Sequence, residues 1–195
     1  MTALAYALTD QAFDAQRAFR GLLEAMSRPG KIVSVGGQDK LPPALQPATA
    51  AVALCLFDHD TEICMGDGIA GVEVLDFLKF NCGCPVTKSG MIADFAIVCA
   101  ESGLPGVTQF KQGSDAFPDR STTLIVQAPD LETGPAITLT GPGIEHESVL
   151  TVAGIADYFW QERREQNGVF PRGVDILFTS GDRIVALPRS TRLGD

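Results

Sequence analysis

Asn167-Gly168-Val169-Phe170-Pro171-Arg172-Gly173-Val174-Asp175 runs straight into the apolar stretch Ile176-Leu177-Phe178, and Pro188-Arg189-Ser190-Thr191 closes a second stretch of the same kind. Pro171 sets its own φ and pushes Phe170 toward extended geometry, while Gly173 opens backbone conformations closed to other residues. Arg172 and Asp175 offer opposite charges at short range. The segment therefore reads as a turn entering a strand, held by an Arg172–Asp175 pair, since turns commonly use Gly, Pro and Asp. Much local specification is spent here without a recognisable catalytic group.

Upstream of this turn the pattern alternates between helix and strand. A final amphipathic helix is expected with Val152, Ile155, Phe159 and Trp160 inward and Asp157, Gln161, Glu162 and Arg163 outward. Before it, 95–99, 122–126 and 136–140 are short apolar or β-branched runs of strand type. Glu73 to Phe80 reads as a helix facing inward through Val74, Leu75, Leu78 and the Phe77 edge. Ala48 to Leu56 is a helix apolar on most sides and must be buried. Lys31 to Val35 reads as a first strand. At the start, Thr9 or Asp10 can cap a helix that runs to about Ser27, where Pro29-Gly30 stops it. Its core stripe is expected at Ala12, Ala15, Phe19, Leu22, Leu23 and Met26. Phe13, Gln16 and Arg20 share a flank of that helix, either covering the core edge or facing a partner. Interleaved helices and strands give an α/β class, with a single domain over residues 1–195 built on a mixed β-sheet flanked by helices.

Composition bounds what such a domain can do. With 195 residues, 45% of them hydrophobic, the chain can bury a core without staples. Its 24 acidic against 15 basic side chains, a net charge of −9, disfavour nonspecific binding to nucleic acid or anionic lipid. There is no charged lead before an apolar run and no apolar stretch of about 20 residues, so a soluble cytoplasmic protein is expected. The odd number of cysteines, Cys55, Cys64, Cys82, Cys84 and Cys99, argues against a secreted disulfide framework.

The chemistry-bearing motifs are weak one by one. Gly141-Pro142-Gly143-Ile144 follows a strand, yet Pro142 removes a backbone donor and no Gly-Lys-Ser/Thr follows, so a tight turn is favoured over a phosphate loop. Cys82-Gly83-Cys84 has no second ligand pair beyond His59 and His146, which disfavours a structural zinc site. Asp58-His59-Asp60-Thr61-Glu62 lacks the calcium-loop pattern, and Ser148 near His146 and Glu147 is not in itself a triad. Asp115 and Asp119, flanking Phe117-Pro118, read as a solvated turn.

Taken in order, the blocks are more specific. Phe13-x-x-Gln16-x-x-Phe19-Arg20-x-Leu22-Leu23-x-Ala25-Met26-Ser27-Arg28-Pro29-Gly30, Leu56-Phe57-Asp58-x-x-Thr61, Gly113-Ser114 with Phe117-Pro118, Gly141-Pro142-Gly143-Ile144, Phe170-Pro171-Arg172-Gly173-Val174-Asp175 and Leu187-Pro188-Arg189 follow one another along nearly the whole chain. The set resembles the H subunit of the bacterial carbon–phosphorus lyase system. That resemblance implies a homodimer-forming subunit of a core complex with the G, I and J subunits, acting functionally with L. The system transfers a phosphonate such as methylphosphonate onto C1 of the ATP ribose, with release of adenine. The fold implied is a shortened pyridoxal-phosphate-dependent transferase without the cofactor site. No cofactor is expected here: only Lys31, Lys40, Lys79, Lys88 and Lys111 are available for a Schiff base, and none follows a readable phosphate-binding motif.

Three functions follow for consideration. The first is a noncatalytic assembly subunit, with Phe13, Arg20 and the Phe170-to-Asp175 segment at interfaces. The second is a nucleotide- or phosphonate-binding subunit, with Arg172 or Arg189 on the oxyanion, because guanidinium forks suit such groups. The third is an independent pyridoxal-phosphate transferase. The first is adopted, supplemented by the second, with Phe13, Arg20, Arg172, Asp175 and Arg189 as candidate interface or oxyanion-binding residues. A cleft holding both arginines without carboxylates would favour ligand binding, and an Arg172–Asp175 pair would favour structure. Arg172→Ala is expected to cost stability or assembly more than chemistry.

Overall fold

The computed structural model describes residues 11–36 and 40–194; the predicted Thr9 or Asp10 cap lies outside them. In chain order the elements are α1 (Gln11–Ser27), β1 (Val33–Ser34), α2 (Pro47–Leu56), β2 (Ile63–Met65), α3 (Val72–Cys82), β3 (Val86–Thr87), β4 (Phe95–Cys99) and β5 (Thr123–Gln127). The antiparallel pair β6 (Ala136–Thr140) and β7 (Ser148–Thr151) follows, then α4 (Asp157–Glu165), β8 (Asp175–Ser180), β9 (Arg183–Leu187) and β10 (Arg192–Leu193).

β1, β9, β8, β5, β4, β2 and β3 form one mixed sheet in that spatial order. The run from β8 to β3 is parallel, and β9 and β1 are added antiparallel. The predicted strands at 95–99 and 136–140 match their observed bounds, and the one at 122–126 is shifted by one residue. The strands the residue pattern did not show, β2, β3, β7 and β10, span two to four residues, too few for a period of two to register. β6, β7 and β10 make a second, three-stranded antiparallel sheet.

The central strands are apolar on both faces, as a parallel sheet covered on both sides requires. Ile97, Ile125, Leu177 and Ala186 pack toward Ala18, Leu22 and Ala25 of α1, the alanines of α2, and Val74, Phe77 and Leu78 of α3. The alternate residues Ala96, Val98, Leu124, Val126, Ile176, Phe178, Val185 and Leu187 pack toward α4 and the small sheet. Three layers result. α2 begins with Pro47 in its first turn, and α3 ends on the left-handed Gly83. On the other side, Phe159 and Trp160 of α4 meet Phe178 of β8 with ring centroids 6.4 and 5.7 Å apart, which seats α4 on the sheet.

Two expected helix faces are corrected. On α1 the buried stripe is Ala18, Leu22 and Ala25, whereas Phe19 and Leu23 are 44% and 52% exposed. Small residues let α1 approach the sheet closely, so the larger side chains are rotated out. On α4, Arg163 is buried rather than outward. It stands four residues after Phe159, so helical periodicity places it on the inner face despite its charge. Val152 and Ile155 are buried as expected, but they precede α4 rather than belonging to it.

All five cysteines are free thiols. Burial pushes the thiol of Cys55 up and that of Cys64 to about 11, so both are protonated at neutral pH. Among the described residues, no helix is long and apolar enough to cross a membrane.

Candidate functional site

Segments far apart in sequence converge where β8 begins and β9 ends. Asp175 is the first residue of β8, and Ile176 pairs with Leu187, which places the Pro188–Arg189 turn beside it. The Arg189 backbone N–H donates to Asp175 Oδ1 at 2.8 Å, and Arg189 Nε reaches Oδ1 and Oδ2 at 3.2 and 3.1 Å. Arg189 Nη2 completes the ion pair with Asp175, and Nη1 donates to the Pro118 carbonyl. Both side chains are about 15% exposed, so the pair is largely desolvated. Asp175 thus ties the sheet to the turn after β9, and Arg189 ties both to the Gly113–Pro118 loop.

Arg163 holds the same turn from beneath. Its Nη2 donates to the carbonyls of Pro188 at 2.8 Å and Thr191 at 3.0 Å, and its Nη1 donates to Asn167 Oδ1 at 3.0 Å. Burial lowers its pKa to about 10, with the charge of Asp175 acting in the opposite sense, so the guanidinium remains cationic at neutral pH. Gln166 Nε2 donates to Gln112 Oε1 at 2.6 Å, and the Gln112 carbonyl accepts from the Gly173 N–H at 2.9 Å. These bonds lock the Phe170-to-Asp175 segment onto the strand-entry loop.

Above the turn lies a pocket of about 460 Å³ lined by Thr140, Gly141, Pro142, Asn167, Phe170, Arg189, Ser190 and Arg192. The Gly-Pro-Gly turn that contributes Gly141 and Pro142 to this lining depends on its two glycines. A Cβ on Gly141 (φ +130°) would lie 3.1 Å from the Ser190 carbonyl oxygen. One on Gly143 (φ +84°) would collide with the Ser27 carbonyl. The Gly-Pro-Gly motif is therefore a tight turn, as expected from the sequence, packed backbone-to-backbone on the arginine turn and on the end of α1.

A family model described as bacterial phosphonate metabolism protein (PhnH) matches residues 6–194. The chain belongs to the PhnH family. The Rhizobium meliloti (strain 1021) alpha-D-ribose 1-methylphosphonate 5-triphosphate synthase subunit PhnH is 35% identical over 187 residues, covering 96% of this chain and 94% of the relative. The Stutzerimonas stutzeri protein named "Putative C-P lyase subunit protein HtxG" is 31% identical over 179 residues, covering 91% and 85%.

Within this PhnH-family chain, the candidate residues separate into three places. Asp175 and Arg189 form the buried pair. Arg172 does not pair with Asp175, which corrects the expected turn: its Nε lies 3.3 Å from Asp115 Oδ1, on the surface. Asp175 is already saturated by the fork of Arg189, and the turn presents Arg172 outward. Arg189 lines the pocket, and Arg172 is not among its lining residues. Phe13 and Arg20 lie on the exposed face of α1 with Phe19 and Leu23, and Phe13 is 69% exposed. Arg163 and Arg192 are not among the residues expected at the site: the closeness of Arg183, Arg189 and Arg192 in sequence signals the second only as part of a basic patch, and the four-residue spacing from Phe159 signals the first. Because the Arg172–Asp115 pair is solvated, Arg172→Ala should shift unfolding free energy by less than ~1 kcal/mol. A urea titration showing a larger loss would mean that Arg172 braces the turn after all.

Proposed function

We propose that this chain is a noncatalytic assembly subunit of a carbon–phosphorus lyase core complex. In this role it supports transfer of a phosphonate such as methylphosphonate onto C1 of the ATP ribose with release of adenine. The observation that carries the proposal is the near-full-length match to a relative named as a subunit of that synthase. The geometry fits a supporting role: the most elaborate polar network, Arg163, Asp175 and Arg189, is spent on backbone carbonyls and on itself. Its partners in this reading are the G, I and J subunits, with L joining functionally, in the cytoplasm, and its fold corresponds to a shortened pyridoxal-phosphate transferase.

A second copy of the chain is the occupant proposed for α1. Phe13, Phe19 and Leu23 leave an apolar strip along the helix, beside Gln16 and Arg20, that an isologous helix pair would cover. Independent pyridoxal-phosphate chemistry is less well supported by the lysines, since Lys31 is held by Glu24 at 2.5 Å and Lys111 by Asp94 at 2.7 Å.

Co-expression with G, I and J followed by mass determination tests the assembly role. A stable complex that releases adenine from ATP and a phosphonate only when L is added is the expected result. A chain that stays alone, or that turns over substrate unaided, would overturn it.

A further inference from the structure

We infer that the pocket above the Pro188–Arg192 turn binds the tetrahedral oxyanion of a small phosphate ester or phosphonate. Arg192 and Ser190 would contact the oxygens, and Phe170 would lie against the organic remainder. This ligand role is separate from the assembly role and is testable on the isolated chain.

The lining is one-sided in charge. In a chain of net charge −9, the titratable side chains around this pocket are Arg189 and Arg192, with no carboxylate among the lining residues. Arg189 is committed to Asp175 and Pro118 and forms a fixed wall. Arg192, exposed on β10 opposite Thr140, has no ion pair or side-chain hydrogen bond among the described residues, so its full set of donors is available. Arg163 adds a further cation: it is buried directly under the turn and its hydrogen bonds go to Pro188, Thr191 and Asn167, none of them anionic. Among the described residues, the guanidiniums of Arg163, Arg189 and Arg192 stand at this turn, and Asp175 is the carboxylate that pairs with Arg189.

The neutral groups have the same bias. Arg163 occupies Asn167 Oδ1, which orients that carboxamide and leaves its NH₂ as the free end. The hydroxyls of Ser190 and Thr140 carry no hydrogen bond among the described residues and can donate. Free donors without an acceptor-only group select an anion over a cation, and a guanidinium fork favours planar pairs of oxygens such as phosphate and phosphonate present. The cavity falls within the 300–1,000 Å³ range typical of small-molecule sites. The exposed Phe170 ring supplies the apolar wall.

The test is calorimetric titration of the purified chain at low ionic strength with inorganic phosphate, methylphosphonate, ATP and acetate. Saturable binding of at least one of the three phosphorus probes is expected, with acetate at least tenfold weaker. Arg192→Ala should weaken that binding about tenfold or more while leaving the circular dichroism and melting curve unchanged, because Arg192 is exposed and its side chain bonds to none of the described residues. Lys88→Ala, which removes the same unit of charge from the surface near β3, should leave binding within about twofold. Ranking of the three phosphorus probes identifies the source: equal affinity assigns the oxyanion alone, and tighter binding of ATP or methylphosphonate assigns an ester or a phosphonate. No saturation with any phosphorus probe, equal binding of acetate, or equal loss in Arg192→Ala and Lys88→Ala would overturn the inference.

Discussion

Arg163→Ala is expected to lower the unfolding free energy by about 3 kcal/mol. Two charge-assisted hydrogen bonds to Pro188 and Thr191 are lost, each of a type that contributes roughly 1.5–3 kcal/mol. Both carbonyls lose their guanidinium partner, and the void left by a fully buried side chain adds to the cost. Part is offset because the native state no longer holds a desolvated cation, the same burial that lowers the pKa to about 10. For a domain of this size, the remainder corresponds to roughly 6–12 °C in Tm. Arg163→Met, which keeps most of the volume, should recover the cavity component and not the carbonyl component. A urea midpoint within experimental error of the parent for Arg163→Ala would show that water satisfies the turn equally well.

Asp175→Ala is expected to cost on the order of 3 kcal/mol, by a different route. Removing one member of a largely buried pair strands the other, and Arg189 would keep the Pro118 carbonyl but lose every contact to a carboxylate. Arg189→Met alone should cost less than Asp175→Ala, since a carboxylate retains the Arg189 backbone N–H as a donor. Combining the two changes should cost less than the sum, because the uncompensated charge disappears. Additivity within about 0.5 kcal/mol in a double-mutant cycle would show that the two groups do not depend on each other, and the view of this pair as the clasp between β8, the turn after β9 and the Gly113–Pro118 loop would fail.

The clasp also shows where local sequence is a poor guide. Arg172 is three residues from Asp175, and the near partner was the natural choice for the pair. Asp175 instead takes Arg189, fourteen residues on, because antiparallel pairing of β8 and β9 sets Ile176 against Leu187 and delivers the following turn to the strand's first residue. Proximity in sequence lost to register. On α1, Leu22 of the expected stripe is buried, but the stripe runs through Ala18 and Ala25 rather than Phe19 and Leu23. Ala18 and Ala25 lack the bulk that draws the eye, and their smallness is what lets the helix sit close to the sheet, turning Phe19 and Leu23 outward.

What the sequence determined by itself is the sum of its local and ordered signals. Short apolar or β-branched runs marked β4, β5, β6 and β8; helical spacing and the Pro29-Gly30 stop marked the helices; and six ordered blocks marked the family. These are legible because each is set by neighbours within a few residues or by order along the chain. Only the tertiary structure decided the partner of Asp175, the two carbonyls that Arg163 meets beneath the turn, the second sheet, and the meeting of Gly141, Phe170 and Arg192 around one pocket. Each of these depends on strand register and layer packing, which bring residues together across tens of positions and leave no periodic trace in the chain.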